Sequence, residues 1–484
     1  MKKLTDILKN TPVREVCGDT AAAIGGLVYD SRAVKPGDCF FAVPGTQSDG
    51  HDYIPIAVEK GAAAIVCERM PADAAEGVAY VLVGDSAGAM ADMAAAFYDY
   101  PSRELKLVGI TGTNGKTTTA TLLYDLVRAM GYKAGLISTV VYKIDGREVE
   151  ATHTTPDSIR LNAMMREMAD AGCAYCFMEC SSHAIVQERT RGLDFAGGIF
   201  SNITHDHLDY HKTFAEYIRA KKLFFDGLPK GAFALTNADD RNGRVMVQNT
   251  AAAVSAYSLR AMADFRCKIV EMHLDGMLLR IDGQELWVGL LGRFNAYNLL
   301  AVYGAAVLLG LDRGEVLRVL SMLHAVSGRF EKIRAANGTT AIVDYAHTPD
   351  ALENVIQTIE EIRTPGQQLI VVCGCGGDRD RTKRPEMAAI AVKYATTAVF
   401  TSDNPRHESP EAILDDMVAG LEPGARYLRI ADRAEAIRTA VMLSRPGDII
   451  LVAGKGHETY QIVGDVKHPF DDREEIKMRF ALLN

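Results

Sequence analysis

One stretch constrains this chain more than any other. GITGTNGKTT at 109–118 is a glycine-rich turn between an apolar run at 105–110 and a helical pattern in which Leu122, Leu123, Leu126, Val127 and Met130 share a face. Gly131 is placed to end that helix, and residues 133–138 read as the next strand. Strand, turn, helix and strand make a βαβ unit, which builds parallel sheets covered by helices. Backbone N–H groups in such a turn, with a helix N-terminus behind them, cradle phosphates. Lys116 then reaches the terminal phosphates, and Thr117 can ligate Mg²⁺. The strict pattern wants its first glycine at 110, where this chain has Ile110. The alternative is a plain glycine-rich turn with an exposed lysine.

At 484 residues the chain calls for about three domains. DYPSR at 99–103, where Pro101 bars helix continuation, and SGRFE at 327–331 divide it into 1–102, 103–331 and 332–484. The first unit mixes short strands at 63–67 and 80–83 with an Ala-rich helix ending near Tyr98, and MKKLTDILKN reads as an amphipathic helix. The last unit alternates strands at 341–343, 368–373, 398–401 and 449–452 with helical stretches, the pattern of a doubly wound sheet. Hydrophobic residues at 48% and charged residues at 24% exclude disorder. A net charge of −9 argues against a nucleic-acid partner. Nine cysteines, an odd and scattered set, read as reduced. The N-terminus lacks the apolar run of roughly 7–15 residues that a signal peptide needs. The longest apolar run, 299–311, falls short of the roughly 18–20 residues that span a bilayer. A cytoplasmic protein with no membrane segment is expected.

Further clusters carry chemistry. Glu179, in ECSSH at 179–183, follows an apolar segment and is well placed at a strand end as a Mg²⁺ ligand, although taken alone it reads better as a capping or solvated acid. Cys173 and Cys176 have no second pair at zinc spacing and read as core. His205, Asp206, His207, Asp209 and His211 crowd one loop, and one of these histidines beside Mg²⁺ is preferred over a zinc site. Lys221, in YIRAKKLFF, is either a solvated helix lysine or a functional one. Asp403-Asn404-Pro405-Arg406 sets an acid and a guanidinium on a stiffened loop. Arg406 suits a carboxylate, and Asp403 or Asn404 suits an ammonium. Arg379 and Glu458 lie on neighbouring loops, and a surface turn with an Asp–Arg pair is the alternative.

Taken together and in order, these residues resemble the Mur ligases, ATP-dependent amino-acid ligases of peptidoglycan precursor synthesis. The resemblance covers nearly the whole chain. It implies an α/β fold of three domains: an N-terminal uridine-nucleotide-binding domain, a central P-loop ATPase-like domain with a parallel sheet, and a C-terminal Rossmann-like domain that binds the amino acid. GTNGKTT at 112–118 is the family's variant P-loop, which accounts for Ile110, and gives Gly112, Thr113, Asn114, Gly115, Lys116, Thr117 and Thr118 to ATP. Asn295, Asn298, Arg329 and Asp344 fall where the family contacts ATP, with Phe294 in place of a histidine found in some relatives. Ser31 and Arg32, with SDGH at 48–51, resemble uridine-nucleotide loops. His153, Thr154, Thr155, Ser181, Gln187 and Arg189 match residues that hold the muramoyl-dipeptide. The resemblance makes Thr117, Glu179 and His207 Mg²⁺ ligands, and makes Lys221 a lysine carbamylated by CO₂. Lys116, Glu179, His207 and Lys221 are then the catalytic set, and Arg379, Asp403, Asn404, Pro405, Arg406, Gly454 and Glu458 the amino-acid pocket.

The activity implied is addition of meso-diaminopimelate to the D-glutamate γ-carboxylate of UDP-N-acetylmuramoyl-L-alanyl-D-glutamate through an acyl phosphate, by a monomer. The alternatives are a lysine-adding ligase, a folylpolyglutamate synthase-like ligase and a P-loop regulatory NTPase.

Overall fold

The strand Lys106–Thr111, which ends in the glycine turn, lies in the middle of a large sheet. The computed structural model describes residues 1–45, 48–151, 153–204, 206 and 208–483, and among them this sheet has eleven strands. Lys106–Thr111 pairs in parallel with Tyr175–Glu179 on one side and with Gly197–Phe200 on the other. Parallel pairing continues through Ala134–Ile137 at one end and through Phe233–Asn237, Ala253–Ser258 and Phe265–His273 at the other. Antiparallel strands finish both edges. The two strands expected to be neighbours, Lys106–Thr111 and Ala134–Ile137, are parallel but separated: Tyr175–Glu179 pairs with both. Local sequence carries the direction of a crossover, and a strand inserted later decides the order.

Helix Lys116–Ala129 buries Leu122, Leu123, Leu126 and Val127, as its periodicity requires. Much of the long apolar run lies in helix Arg293–Leu308, buried along most of its length. That burial, rather than a membrane, explains its composition. Among the described residues no helix is long and apolar enough to cross a membrane. All of the cysteines are free, Cys173 and Cys176 in the core.

The first unit holds a five-stranded sheet, ordered Val13–Cys17, Ala79–Val83, Ala64–Cys67, Cys39–Phe41, Leu27–Val28. The amphipathic helix expected at the N-terminus shrinks to Leu4–Ile7. Lys2–Lys3 pairs instead with Ala23–Ile24, and the Leu4 N–H donates to the Ala22 carbonyl at 3.0 Å, so backbone pairing overrides the helical pattern. In the last unit, Thr340–Asp344, Ile449–Ala453, Leu369–Cys373, Thr397–Phe400 and Tyr427–Arg429 run parallel, with Glu331–Arg334 antiparallel at the edge. Leu352, Ile356 and Met387 cover one face, and Ile437, Ala440 and Ile476 the other, which is the doubly wound arrangement.

One packing feature sets the site. Gly109 and Gly198 are register partners on adjacent strands, and together they form a notch. Phe224 of helix Phe214–Asp226 fills it: a Cβ on Gly109 would lie 2.5 Å from Phe224 Cζ, and one on Gly198 2.7 Å from Cε1. The helix therefore sits closer to the sheet than any side chain at those positions would permit. Lys221, three residues before Phe224, shares that face and is 1% exposed. Gly109→Ala is expected to overpack this notch and cost about 1–3 kcal/mol. Urea unfolding of the variant checks this, and an unchanged midpoint would refute the notch.

Candidate active site

The ends of four parallel strands deliver Thr111, Glu179, Ser201 and Asn237 to one side of the sheet, where the glycine turn begins. Two glycines of that turn are obligatory. Gly112 has φ +149° and a Cβ there would fall 1.9 Å from Ser201 Oγ, while Gly115 has φ +86° with Asn298 Oδ1 at 2.4 Å. Asn202 braces the loop, accepting from the Asn114 N–H at 2.9 Å and donating to the Asn114 carbonyl at 3.0 Å. Thr113 donates its N–H to the Asn202 carbonyl at 2.8 Å.

Two lysines meet at this loop. Lys116 Nζ donates to the Gly112 and Thr113 carbonyls at 2.9 and 2.8 Å, and Lys221 Nζ donates to the same Gly112 carbonyl at 2.8 Å. Burial lowers the pKa of both, Lys221 far below the ordinary lysine value, with the Lys116 charge as its next cause. Lys221 is thus no solvated helix residue. Glu179 is 1% exposed and accepts from the Thr139 N–H at 2.7 Å. Arg329 Nη2 donates to Thr117 Oγ1 at 3.2 Å, and its guanidinium lies 4.6 Å from the centre of the Tyr345 ring. Asn298 Nδ2 donates to Asn295 Oδ1 at 3.2 Å, and Asn295 Nδ2 donates to the Leu291 carbonyl at 2.7 Å. Asp344 accepts from the Phe330 N–H at 2.7 Å, and burial raises its pKa to about 6.

Lys116, Thr117, Glu179, Lys221, Asn298, Arg329 and Asp344 line a cleft of about 500 Å³ between the central and C-terminal sheets, and Phe294 lines it too, whereas Asn295 is buried behind Asn298. Sequence reading missed Asp350, which closes the cleft across the interface by accepting from Asn114 Nδ2 at 2.9 Å and from Thr204 Oγ1 at 3.3 Å. Its signal was the polar loop after Thr340–Asp344. The buried Arg329 Nε has no protein partner, a donor suited to a ligand in this cleft. For a divalent cation the described donors are hard oxygens, Glu179 and Thr117, which suit Mg²⁺ over a softer metal. No group of three or more His, Cys, Asp and Glu side chains able to hold a metal occurs among the described residues. His205 and His207, and with them the His207 ligand expected from sequence, lie outside the described residues.

The residues expected at the muramoyl-dipeptide gather at the end of Tyr175–Glu179. Thr155 Oγ1 donates to the Glu179 carbonyl at 2.7 Å, and Arg189 bonds the Thr155 carbonyl at 2.7 Å and Gln187 Oε1 at 2.6 Å. Thr139 Oγ1 donates to Thr154 Oγ1 at 3.1 Å, Ser181 Oγ caps the Ala184 N–H, and the His153 carbonyl accepts from Tyr142. Ser31 and Arg32 stand apart, in the first unit: Ser31 is buried, and Arg32 pairs with Asp30 at 2.8 Å. A cavity of about 480 Å³ next to them is lined by Tyr29 and Asp30 of that unit and by Asp157 and Arg160 of the central one.

In the last unit, Asp403 is buried and pressed against Gly454, where φ is +116° and a Cβ would lie 2.5 Å from Asp403 Oδ2. Arg406 Nη1 donates to the Gly377 carbonyl at 2.8 Å. A Cβ on Gly376 would lie 2.9 Å from Arg406 Nη1 and 3.7 Å from Arg379 Cγ, so the two arginines flank that glycine. Burial and then the Arg379 charge lower the Arg406 pKa. Asn404 differs from its expected role. Its Oδ1 accepts from Lys455 Nζ at 3.1 Å and from the Ile462 N–H at 2.9 Å, and its Nδ2 donates to Glu458 Oε2 at 2.9 Å. Three protein bonds leave it a brace for Glu458, its oxygen taken by the Lys455 ammonium and the Ile462 N–H rather than open to a ligand. Lys455, absent from the sequence expectation, adds its own bond to Glu458 Oε2 at 2.9 Å. The Tyr345 and His457 rings, 5.0 Å apart, connect this pocket to the nucleotide cleft.

A phosphate-cradling loop facing a doubly wound C-terminal unit defines a nucleotide-using enzyme assembled from several α/β units. The chain belongs to the Mur ligase family, ATP-dependent enzymes that form amide bonds. Residues 23–98 match the Mur ligase family catalytic domain, 110–306 the Mur ligase middle domain, and 328–456 the Mur ligase glutamate ligase domain. A protein of Phocaeicola vulgatus named UDP-N-acetylmuramoyl-L-alanyl-D-glutamate–2,6-diaminopimelate ligase is 55% identical over 481 residues, 99% of each chain. One of the same name from Geobacillus thermodenitrificans is 44% identical over 484 residues, covering 97% of this chain and 98% of its own. A solved structure of a ligase with that name superposes with a TM-score of 0.72 at 31% identity, over 100% of this chain and 99% of its own.

Lys116→Ala should leave the fold intact and lower ATP-dependent turnover by about 10²–10³, the cost of removing one charge-stabilising donor. Steady-state rates with circular dichroism as the folding control check this, and near-normal turnover would remove Lys116 from the nucleotide site.

Proposed function

We propose that this chain joins meso-diaminopimelate to the D-glutamate γ-carboxylate of UDP-N-acetylmuramoyl-L-alanyl-D-glutamate, with ATP converted to ADP and phosphate. The reading also places the enzyme in the cytoplasm as a monomer of three units, 1–102, 103–331 and 332–484. The observation that carries the choice of amino acid is the pocket of both signs. Asp403 and Glu458 offer carboxylates, while Arg379 and Arg406 crowd Gly376 as like charges that a ligand carboxylate between them would relieve. L-lysine lacks the carboxylate beside its distal amine and would leave the half-buried Arg406 charge without a ligand counter-charge.

In the first step the γ-carboxylate oxygen attacks the γ-phosphorus of ATP. The bond to the leaving ADP oxygen breaks, and an acyl phosphate forms. Backbone N–H groups of 115–118 hold the phosphates, and Lys116 and Arg329 balance charge that grows on the transferring group. Asn295, Asn298 and Asp344 hold the nucleotide. Thr154, Thr155, Ser181, Gln187 and Arg189 hold the acceptor against the strand end, with His153 beside them, and Ser31 and Arg32 take its uridine end. In the second step the diaminopimelate amine adds to the acyl carbon, loses its proton, and phosphate leaves with formation of the amide. Arg406, Arg379, Asp403 and Glu458 orient the amine, with Gly454 and Pro405 shaping the wall. The Asp350–Asn114 bond holds the C-terminal unit over the loop, so the acyl phosphate is shielded from water.

Mg²⁺, when bound, neutralises phosphate oxygens. Thr117, Glu179 and His207 would hold it, with Lys221 as a carbamate. The buried amine at the cleft wall suits that modification: nitrogen adds to CO₂ and releases a proton, exchanging a cation that would repel the metal for an anion that attracts it.

With acceptor and ATP, meso-diaminopimelate should be ligated with a kcat/KM about 10⁴ or more above that for L-lysine, because unpaired polar groups penalise the analogue. Arg406→Ala should lose most of this preference. A panel of both amino acids in a phosphate-release assay checks it. Comparable use of lysine would overturn the specificity, and ligation of neither would overturn the reading.

A further inference from the structure

Arg433 begins the helix Arg433–Leu443, and Asp472 begins the helix Asp472–Phe480. Both side chains are fully buried, at 0% exposure. Arg433 Nε and Nη2 donate to the two oxygens of Asp472 at 2.7 and 2.8 Å. Such a pair is weak evidence of a stabilising device, since apolar residues of similar volume often serve as well or better. A cation in the first turn also stands against the helix dipole. The remaining donors point to another role: Nη1 donates to the Ser402 carbonyl at 3.3 Å, and Nη2 to the Ala453 carbonyl at 3.0 Å. Ala453 ends the strand Ile449–Ala453, and Ser402 follows the strand Thr397–Phe400. These strands are not neighbours, because Leu369–Cys373 runs between them. One guanidinium thus ties two strand ends that the sheet itself does not pair. The residues that come next in the chain are Asp403 and Gly454, which press against each other.

We propose that Arg433, anchored by Asp472, is a positioning residue for the amino-acid substrate: it fixes Asp403 relative to Gly454 without touching the ligand. The inference rests on reading that pocket as the diaminopimelate site. It needs arginine, because a planar fork reaches a carboxylate and two carbonyls at once, whereas a lysine ammonium presents a single point charge. It also ties the pocket to the last helix, which lies on the far face of the sheet from Met387.

The experiment compares wild type with Arg433→Lys, Asp472→Asn and, as control, Arg438→Ala. Arg438 is 51% exposed on the same helix and pairs with Glu435. For each, kcat, the KM of diaminopimelate, ATP and acceptor, and the thermal midpoint are measured. Arg433→Lys and Asp472→Asn should raise the KM of diaminopimelate by about tenfold to a hundredfold, the effect of slight misplacement in a binding site. The KM of ATP and of acceptor should not move, the preference over L-lysine should narrow, and Arg438→Ala should match wild type. A fall in kcat or in midpoint with an unchanged KM for diaminopimelate would mark a structural role and overturn the inference, as would variants indistinguishable from wild type. If neither variant folds, the pair belongs to folding and the inference fails. A wild-type enzyme that does not ligate diaminopimelate at all would instead overturn the reading of the pocket.

Discussion

The site depends on one carbonyl oxygen. Gly112 offers it to both Lys116 and Lys221, at 2.9 and 2.8 Å, Lys221 fully buried and Lys116 half-buried at the cleft wall. Two ammonium groups on one acceptor repel strongly at low dielectric, so the arrangement favours one of them giving up its charge. Lys221 is the one whose basicity is driven down further, because it is buried and because Lys116 lies beside it. The geometry exists only because Gly109 and Gly198 let Phe224 into the sheet, carrying the helix and its lysine down to the loop. A packing fact about two glycines thereby becomes an electrostatic fact about the nucleotide site.

The C-terminal unit repeats the theme with different chemistry. Its pocket side chains are held by buried cations that face inward. Arg384 bonds both oxygens of Glu408 at 2.8 and 3.0 Å, and Glu408 in turn accepts from the Asp378 N–H at 2.6 Å, tying the loop at 374–380 to the loop at 402–408. The Arg384 pairing holds the Glu408 carboxyl down at about 2. This contribution to stability is complete above the ordinary glutamate value and is lost as pH falls through the lowered one. Lys455 and Asn404 fix one oxygen of Glu458 in the same manner. The loops at the strand ends of this unit are therefore oriented by bonds made behind them.

How much of this was legible in the sequence follows from the range of the interactions. The glycine turn at 109–118 and the strands of the last unit depend on neighbours in sequence, on β-branched runs and on helical spacing, and they were readable. Lys221 was not. Its burial depends on a carbonyl 109 residues away and on glycines in two other strands, and a helix pattern contains neither. Asn404 read as a ligand group because its partner Lys455 is 51 residues distant. The N-terminal helix failed for the same reason, through pairing of Lys2–Lys3 with Ala23–Ile24. Resemblance to a family supplied the expectation of a functional Lys221, which the local pattern left open.

The most direct test is ¹³C NMR of the folded enzyme in ¹³C-bicarbonate. Because a neutral amine at Gly112 is the form that reacts with CO₂, a carbamate resonance is expected in wild type and in Lys116→Ala, and should vanish in Lys221→Met together with activity. Wild-type enzyme that turns over fully in bicarbonate without that resonance, or an active Lys221→Met, would contradict it.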